Sequence, residues 1–325
     1  MIKKILKWTG IIIGSILLLV TIVVAMRQDM KYEAPYPDIK ASADSSVIAR
    51  GKYLALGPAH CASCHADPAN LELVEKGVEV PLSGGNVFNL PVGNIYVRNI
   101  TPDKETGIGR YTDAEIAREL RYGVRPDGSI VMPFMPFHNV SDEDLTAIIS
   151  FLRSQPPVKN KVPENTTNVL GKIVKAFLLK PEGPTGVVPK KVKQDTSAAY
   201  GEYLATSVAN CKGCHTPRDM MTGAFTGEPF SGGMIMGSSA DDKYDFITPN
   251  LTPDSTGRLF GWTQDMFIKR FRMGKIYPGT HMPWGPFSRM SDDELKAIYN
   301  YLQTVKPVKN YIPQTRVEKK KDKDK

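Results

Sequence analysis

The chain has 325 residues, 41% of them hydrophobic and 23% charged, which suits two folded domains and excludes wholesale disorder. Its formal charge of +8 is concentrated outside those domains: residues 41–155 carry 10 basic and 14 acidic side chains, and residues 195–312 carry 12 of each. The excess lies in 1–40, 156–194 and 313–325, so no domain has the basic face of a nucleic-acid reader. The basic segments suit solvent, an anionic membrane surface or an acidic partner.

Residues 1–7 hold Lys3, Lys4 and Lys7, and 8–26 form an uncharged run that includes Ile11-Ile12-Ile13 and Ile16–Val20. A helix of that length nearly spans a hydrocarbon core of about 30 Å. The preceding lysines place the N-terminus in the cytoplasm, and Trp8 stands where an interfacial aromatic would. The expectation is a single-pass anchor in the inner (cytoplasmic) membrane, with the rest facing the periplasm or cell exterior. The alternative is a cleaved signal peptide, for which Val23-Val24-Ala25 is a passable site. Both readings export the remainder. Residues 27–44 read as a linker.

The next signal is an internal repeat. Gly51-Lys-Tyr53-Leu-Ala recurs as Gly201-Glu-Tyr203-Leu-Ala, Met132-Pro133 as Met282-Pro283, and Pro157-Val-Lys-Asn160 as Pro307-Val-Lys-Asn310, all at an offset of 150. Ser83-Gly-Gly85 matches Ser231-Gly-Gly233 at 148, and Asn99-Ile-Thr-Pro-Asp103 matches Asn250-Leu-Thr-Pro-Asp254 at 151. The pattern predicts one folding unit duplicated, at 45–160 and 195–312, joined by a linker at 161–194. Each unit reads as mainly helical. A first helix spans about 46–56 and 198–207. A middle helix opens at Thr112 and Thr263 and stops at Gly123 and Gly274. A last helix opens at Ser141 and Ser291, with Leu145, Ile148, Ile149 and Leu152 at helical spacing. Loop and a minor hairpin are expected before Asn99. Within the linker, 169–179 predicts a short amphipathic helix with Lys172, Lys175 and Lys180 as its polar residues, packed between the domains, with contact to a membrane or partner as the alternative. The tail from 313 reads as charged, and disordered from Arg316.

All four cysteines lie in two Cys-X-X-Cys-His motifs, Cys61-Ala-Ser-Cys64-His65 and Cys211-Lys-Gly-Cys214-His215, again 150 apart. Two thiols one helical turn apart can add to the two vinyl groups of one haem, and the following imidazole reaches its iron. The expected cofactors are therefore two covalently bound haem c groups, attached at Cys61 and Cys64 and at Cys211 and Cys214, with His65 and His215 as iron ligands. A four-cysteine zinc site would leave both histidines unexplained. A thioredoxin-type motif would need a βαβ context. The second axial ligand decides whether each iron is closed for electron transfer or open for chemistry. Met132, Met135, His138, His281 and Met282 are the candidates, and only Met132 and Met282 occupy the same place in both repeats. Both precede Pro, which stiffens a ligand loop.

Gly51-Lys-Tyr-Leu-Ala, Cys61-X-X-Cys-His65, Asn99-Ile-Thr-Pro-Asp103, Thr106-Gly-Ile-Gly109, Arg121–Gly128, Met132-Pro and Ser141-Asp-Glu-Asp144 together resemble the cytochrome c subunits of bacterial membrane-bound alcohol, aldehyde and gluconate dehydrogenases. The likeness covers most of 45–312. It implies two tandem class I cytochrome c domains, each wrapping a haem between His and Met. It further implies electron transfer from a periplasmic dehydrogenase toward quinone or a terminal oxidase, with redox proteins as partners and no catalysis by this chain. That family usually carries three haem motifs and a cleaved leader; this sequence has two motifs and an anchor-like start. Two other readings are a dihaem enzyme such as a cytochrome c peroxidase, and an assembly subunit with vestigial motifs.

Overall fold

The computed structural model describes residues 1–219 and 223–319. Helix α1 (Ile2–Arg27) is long and apolar enough to cross a membrane, with a mean hydropathy of 2.6 in its most apolar window and no buried side chain. It extends beyond the uncharged run at both ends.

The first repeat holds α2 (Ser45–Leu56), α3 (Ala62–His65), α4 (Leu71–Glu75), the hairpin β1 (Val87–Leu90) and β2 (Gly93–Tyr96), α5 (Asp113–Tyr122) and α6 (Asp142–Ser154). After α7 (Val169–Phe177), the second repeat holds α8 (Ala198–Tyr203), α9 (Cys211–His215), β3 (Ile235–Gly237), β4 (Tyr244–Ile247), α10 (Gln264–Arg272), α11 (Trp284–Phe287) and α12 (Asp292–Leu302). The helix starts follow the sequence signals. Thr112 and Glu115 close a capping box on α5, while Ser141 and Ser291 cap α6 and α12. Gly123 ends α5 at φ 63°. The helix expected over 198–207 turns to a π-helical segment at Leu204–Val208, which leads into the second Cys motif.

In each repeat the first and last helices cross at a glycine. A Cβ on Gly51 would stand 1.8 Å from the carbonyl oxygen of Ala147, and one on Gly201 would stand 1.8 Å from that of Ala297. Only glycine lets the two backbones approach so closely. Leu54, Leu145 and Ile149 on one side and Leu204, Leu295 and Ile298 on the other fill a core that is continuous across both repeats.

Two connecting segments differ from expectation. Helix α7 does not pack between the repeats; it lies against α1 and the β1–β2 turn. The Thr166 amide donates to Asn94 O (3.0 Å), and Asn168 Nδ2 donates to Pro91 O (2.7 Å). The chain had to satisfy the open edge of a two-stranded hairpin, which composition alone does not reveal. In the second repeat the same edge is covered by β5 (Arg316–Glu318), paired antiparallel with β4. The first residues of the tail are thus ordered, while 320–325 lie outside the described residues.

Candidate haem sites

Both Cys motifs begin after a residue in the left-handed region, His60 at φ 40° and Asn210 at φ 51°, and run through α3 and α9. All four thiols are unpaired. Burial, with the neighbouring thiol adding to it, pushes Cys61 and Cys211 up to about 12; burial pushes Cys64 up to about 11 and Cys214 in the same direction. Among the described residues no cluster of His, Cys, Asp or Glu could hold a metal ion, so the two Cys pairs are not assembled into a zinc site.

The proximal candidates are held alike. His65 Nδ1 donates to Arg98 O (2.8 Å) and His215 Nδ1 to Pro249 O (3.1 Å). Carbonyls only accept, so Nδ1 carries the proton and Nε2 keeps its lone pair for a ligand. Burial holds both imidazoles below their ordinary value and keeps them neutral.

Two repeated motifs to which the sequence assigned no role build this arrangement. The Gly84 amide donates to His65 O (2.7 Å) and the Gly232 amide to His215 O (2.8 Å). Both glycines have positive φ, and a Cβ would stand 2.6 Å from Val97 O in the first repeat and from Pro249 O in the second. The Ser-Gly-Gly motif therefore wedges the proximal segment against the stretch after β2 or β4 that supplies the accepting carbonyl. The Asn-X-Thr-Pro-Asp motif fastens that stretch to the chain leaving the last helix. Asn99 Nδ2 donates to Val158 O and Asn250 Nδ2 to Val308 O, both at 2.8 Å. The Val158 and Val308 amides donate back to Thr101 and Thr252, both at 3.1 Å. Their preservation in both repeats was the signal that could have revealed them.

The other candidates also have backbone partners: His138 Nδ1 donates to Arg121 O (2.9 Å), as the proximal imidazoles do to their carbonyls, and His281 Nε2 is bonded to Gly237 O (2.6 Å). Met132 and Met282 form the same turn: the Phe134 amide donates to Met132 O (2.7 Å) and the Trp284 amide to Met282 O (2.8 Å). Met282 and Met135 pack against the core, whereas Met132 is half-buried beside Glu119, Met135 and His138.

The repeats meet through a pseudo-symmetric polar exchange. Tyr53 donates to the Glu294 carboxylate and accepts from the Ser291 amide (3.0 Å). Its counterpart Tyr203 donates to Asp144 Oδ2 (2.8 Å) and accepts from the Ser141 amide (3.2 Å). Each first helix thus caps the other repeat's last helix. Burial raises both tyrosines, so they remain donors. The position held by Arg50 in one repeat and Tyr200 in the other breaks the symmetry. Arg50 Nε donates to Asp144 Oδ1 (2.9 Å), and Tyr200 donates to Glu294 Oε1 (3.2 Å). His60 precedes the first Cys motif and is replaced by Asn210 in the second, which by sequence alone marks it as a surface position; instead it packs edge-on against Phe287 of the other repeat at 5.3 Å between centroids.

Residues 48–156 match the cytochrome c family, and residues 196–302 match the family of subunit III of cbb3-type cytochrome c oxidase. The chain carries two cytochrome c domains. They are mainly helical with a small sheet component, as the sequence led us to expect, and their cofactors are two covalently bound haem c groups. The thiol pairs and oriented imidazoles fit such a group. The chain is 32% identical over 293 residues to the cytochrome c subunit of the quinone alcohol dehydrogenase of Gluconobacter oxydans, covering 82% of this chain and 56% of that one. It is 29% identical to the gluconate 2-dehydrogenase cytochrome c subunit of Pantoea cypripedii, covering 81% and 60%. It is 27% identical to a dihaem c-type cytochrome of Cereibacter sphaeroides, covering 75% and 81%. The chain therefore spans little more than half the length of the dehydrogenase subunits it matches. Those relatives are named as cytochrome c subunits of dehydrogenases and as a dihaem c-type cytochrome.

Proposed function

We propose that this protein is a membrane-anchored dihaem cytochrome c that relays single electrons from a periplasmic dehydrogenase toward quinone or a terminal oxidase. In this reading Cys61, Cys64, Cys211 and Cys214 would hold the haems covalently, and His65 with Met132 and His215 with Met282 would ligate the two irons. Helix α1 is the uncleaved anchor, and the haem domains face the periplasm. The repeated Met-Pro-aromatic turn, which follows each proximal imidazole at the same spacing of 67 residues, is the observation that carries the reading. It closes both irons in the same way and leaves neither half the open position that a peroxidase needs.

When bound, haem supplies an iron centre that gains and loses one electron without breaking a bond to substrate. The chain's own groups do the rest. Arg98 O and Pro249 O fix the tautomer and plane of the two imidazoles and raise their basicity. The Met loops offer a neutral thioether, which favours the reduced form and raises the potential. The Tyr53 and Tyr203 exchange holds the two domains as one unit, so that the distance between the two centres stays constant.

Carbon monoxide tests the closure. The reduced, haem-loaded protein should leave both irons unligated by carbon monoxide; rapid binding at either would contradict the proposed pairs. Purification from native membranes should recover a dehydrogenase subunit with this chain. Recovery of the chain free of any redox enzyme would contradict the relay.

A further inference from the structure

We infer that α7 is a second membrane contact: its outer face lies in the interfacial layer of the bilayer that α1 enters, and it sets the height and tilt of the haem domains above the surface. The inference rests on the reading of α1 as an anchor and goes beyond it, because it concerns the linker.

Helix α7 packs on the membrane-exit end of α1. Within residues 2–27, Val23 and Val24 are the side chains that lose exposure, and α7 is the element that lies against this end. These valines belong to the apolar run, about one turn before its end. The junction is then tied beyond that run. Arg27 Nε donates to Ala176 O (2.9 Å), Lys175 pairs with Asp29 (2.9 Å), and Tyr32 donates to Leu179 O (3.3 Å). A helix fixed to the last turn of a membrane span is itself at the level where hydrocarbon gives way to headgroups.

Its side chains suit that level. Gly171, Val174 and Ala176 face inward and are buried, whereas Val169, Leu170, Ile173 and Phe177 are exposed along one face, followed by exposed Leu178. Such a stripe facing water would be costly, with about 25 cal/mol lost per Å² of apolar area left wet. Lys172 and Lys180 are exposed and form no ion pair with the described residues, which leaves them free for anionic headgroups. Apolar face, flanking lysines and a position at the interface are the attributes of a surface-lying helix.

The test uses the full-length, haem-loaded protein in nanodiscs of phosphatidylcholine and phosphatidylglycerol. Single cysteines are introduced as Ile173→Cys, Phe177→Cys, Ile13→Cys in α1, and Val187→Cys, whose native side chain is 99% exposed. Each carries an environment-sensitive fluorophore, probed with nitroxide-bearing lipids and with aqueous iodide. Labels at 173 and 177 should be quenched by the lipids and shielded from iodide, as at 13, while the label at 187 shows the reverse. Lipid quenching at 13 with iodide quenching at 173 and 177 overturns the inference and leaves the anchor intact. Shielding of 173 and 177 from both quenchers means that protein covers the face, which also overturns it. Iodide quenching at 13 removes the anchor reading and the inference with it.

Discussion

The Met132 and Met282 loops have the same Met-Pro-aromatic turn and different neighbours. Around Met282, Trp284 lies under Arg270 at 3.5 Å and beside Phe271 at 5.6 Å. The next amide, Gly285, donates to Glu75 Oε2 of the first domain (3.0 Å), and Lys275 pairs with Glu75 (3.4 Å). Arg289 reaches the carbonyls of Leu56 and Val74, also in the first domain. Around Met132, the equivalent Phe134 is 47% exposed and touches Phe88. Its cover comes from the linker, where Thr185 bonds Asn139 (3.0 Å) and Glu182 stands 3.8 Å from His138. One loop is clamped by the other domain, and the other is covered by a connecting segment. A duplicated loop can thus keep its turn while its surroundings are set by whichever surface the fold places beside it.

The largest expected effects should be equal in the two halves, because the helix crossings are equal. Gly51→Val and Gly201→Val should each cost about 3 kcal/mol or more, since the added carbons collide with backbone that cannot retreat. Thermal unfolding followed at the haem band should show a large loss for both. A loss confined to one variant would break the equivalence of the two folds.

Glu75→Ala should separate the halves. It removes the acceptor of the Gly285 amide and the partner of Lys275, at a cost of about 1–3 kcal/mol. The effect should appear as a weakened methionine signal of the second haem, with the first unchanged, although Glu75 lies in the first domain. An unchanged second haem would show that the clamp does not hold the loop.

The polar exchange is the next smaller term. Tyr53→Phe and Tyr203→Phe should each lower stability by about 1 kcal/mol, and by similar amounts, as denaturant titration would show. The smallest effect concerns His60, whose contact with Phe287 exists in one direction only. Burial holds its imidazole below the ordinary value, so the folded protein favours the neutral ring. Its contribution is full above the unfolded value of about 6.5 and is lost as the pH falls below it. His60→Asn should flatten this part of the pH–stability curve. An identical acid slope in the variant would assign the dependence elsewhere.

The ease of reading the sequence varied with the kind of information. Cys-X-X-Cys-His and the Ser or Thr caps are local chemistry, and the helices start where Thr112, Ser141 and Ser291 say they do. The repeat made Gly51 and Gly201 visible, but their role became clear only once the opposing carbonyls were placed. The contacts of His60 and α7 were not legible. Both depend on which surfaces come together, and for His60 the repeat misled: Asn210 at the equivalent position suggested a surface site, whereas α11 of the other repeat packs against one copy only. The tail failed for a related reason, because its charged composition hides three residues that complete a sheet edge.

The account rests on two closed, methionine-bound irons, and near-infrared magnetic circular dichroism of the oxidised protein tests this most directly. The native protein should give two methionine-to-ferric signals per chain, with Met132→Ala and Met282→Ala each removing one and Met135→Ala removing neither. A native protein with fewer than two such signals, or a Met132→Ala variant that keeps both while Met135→Ala loses one, would contradict it.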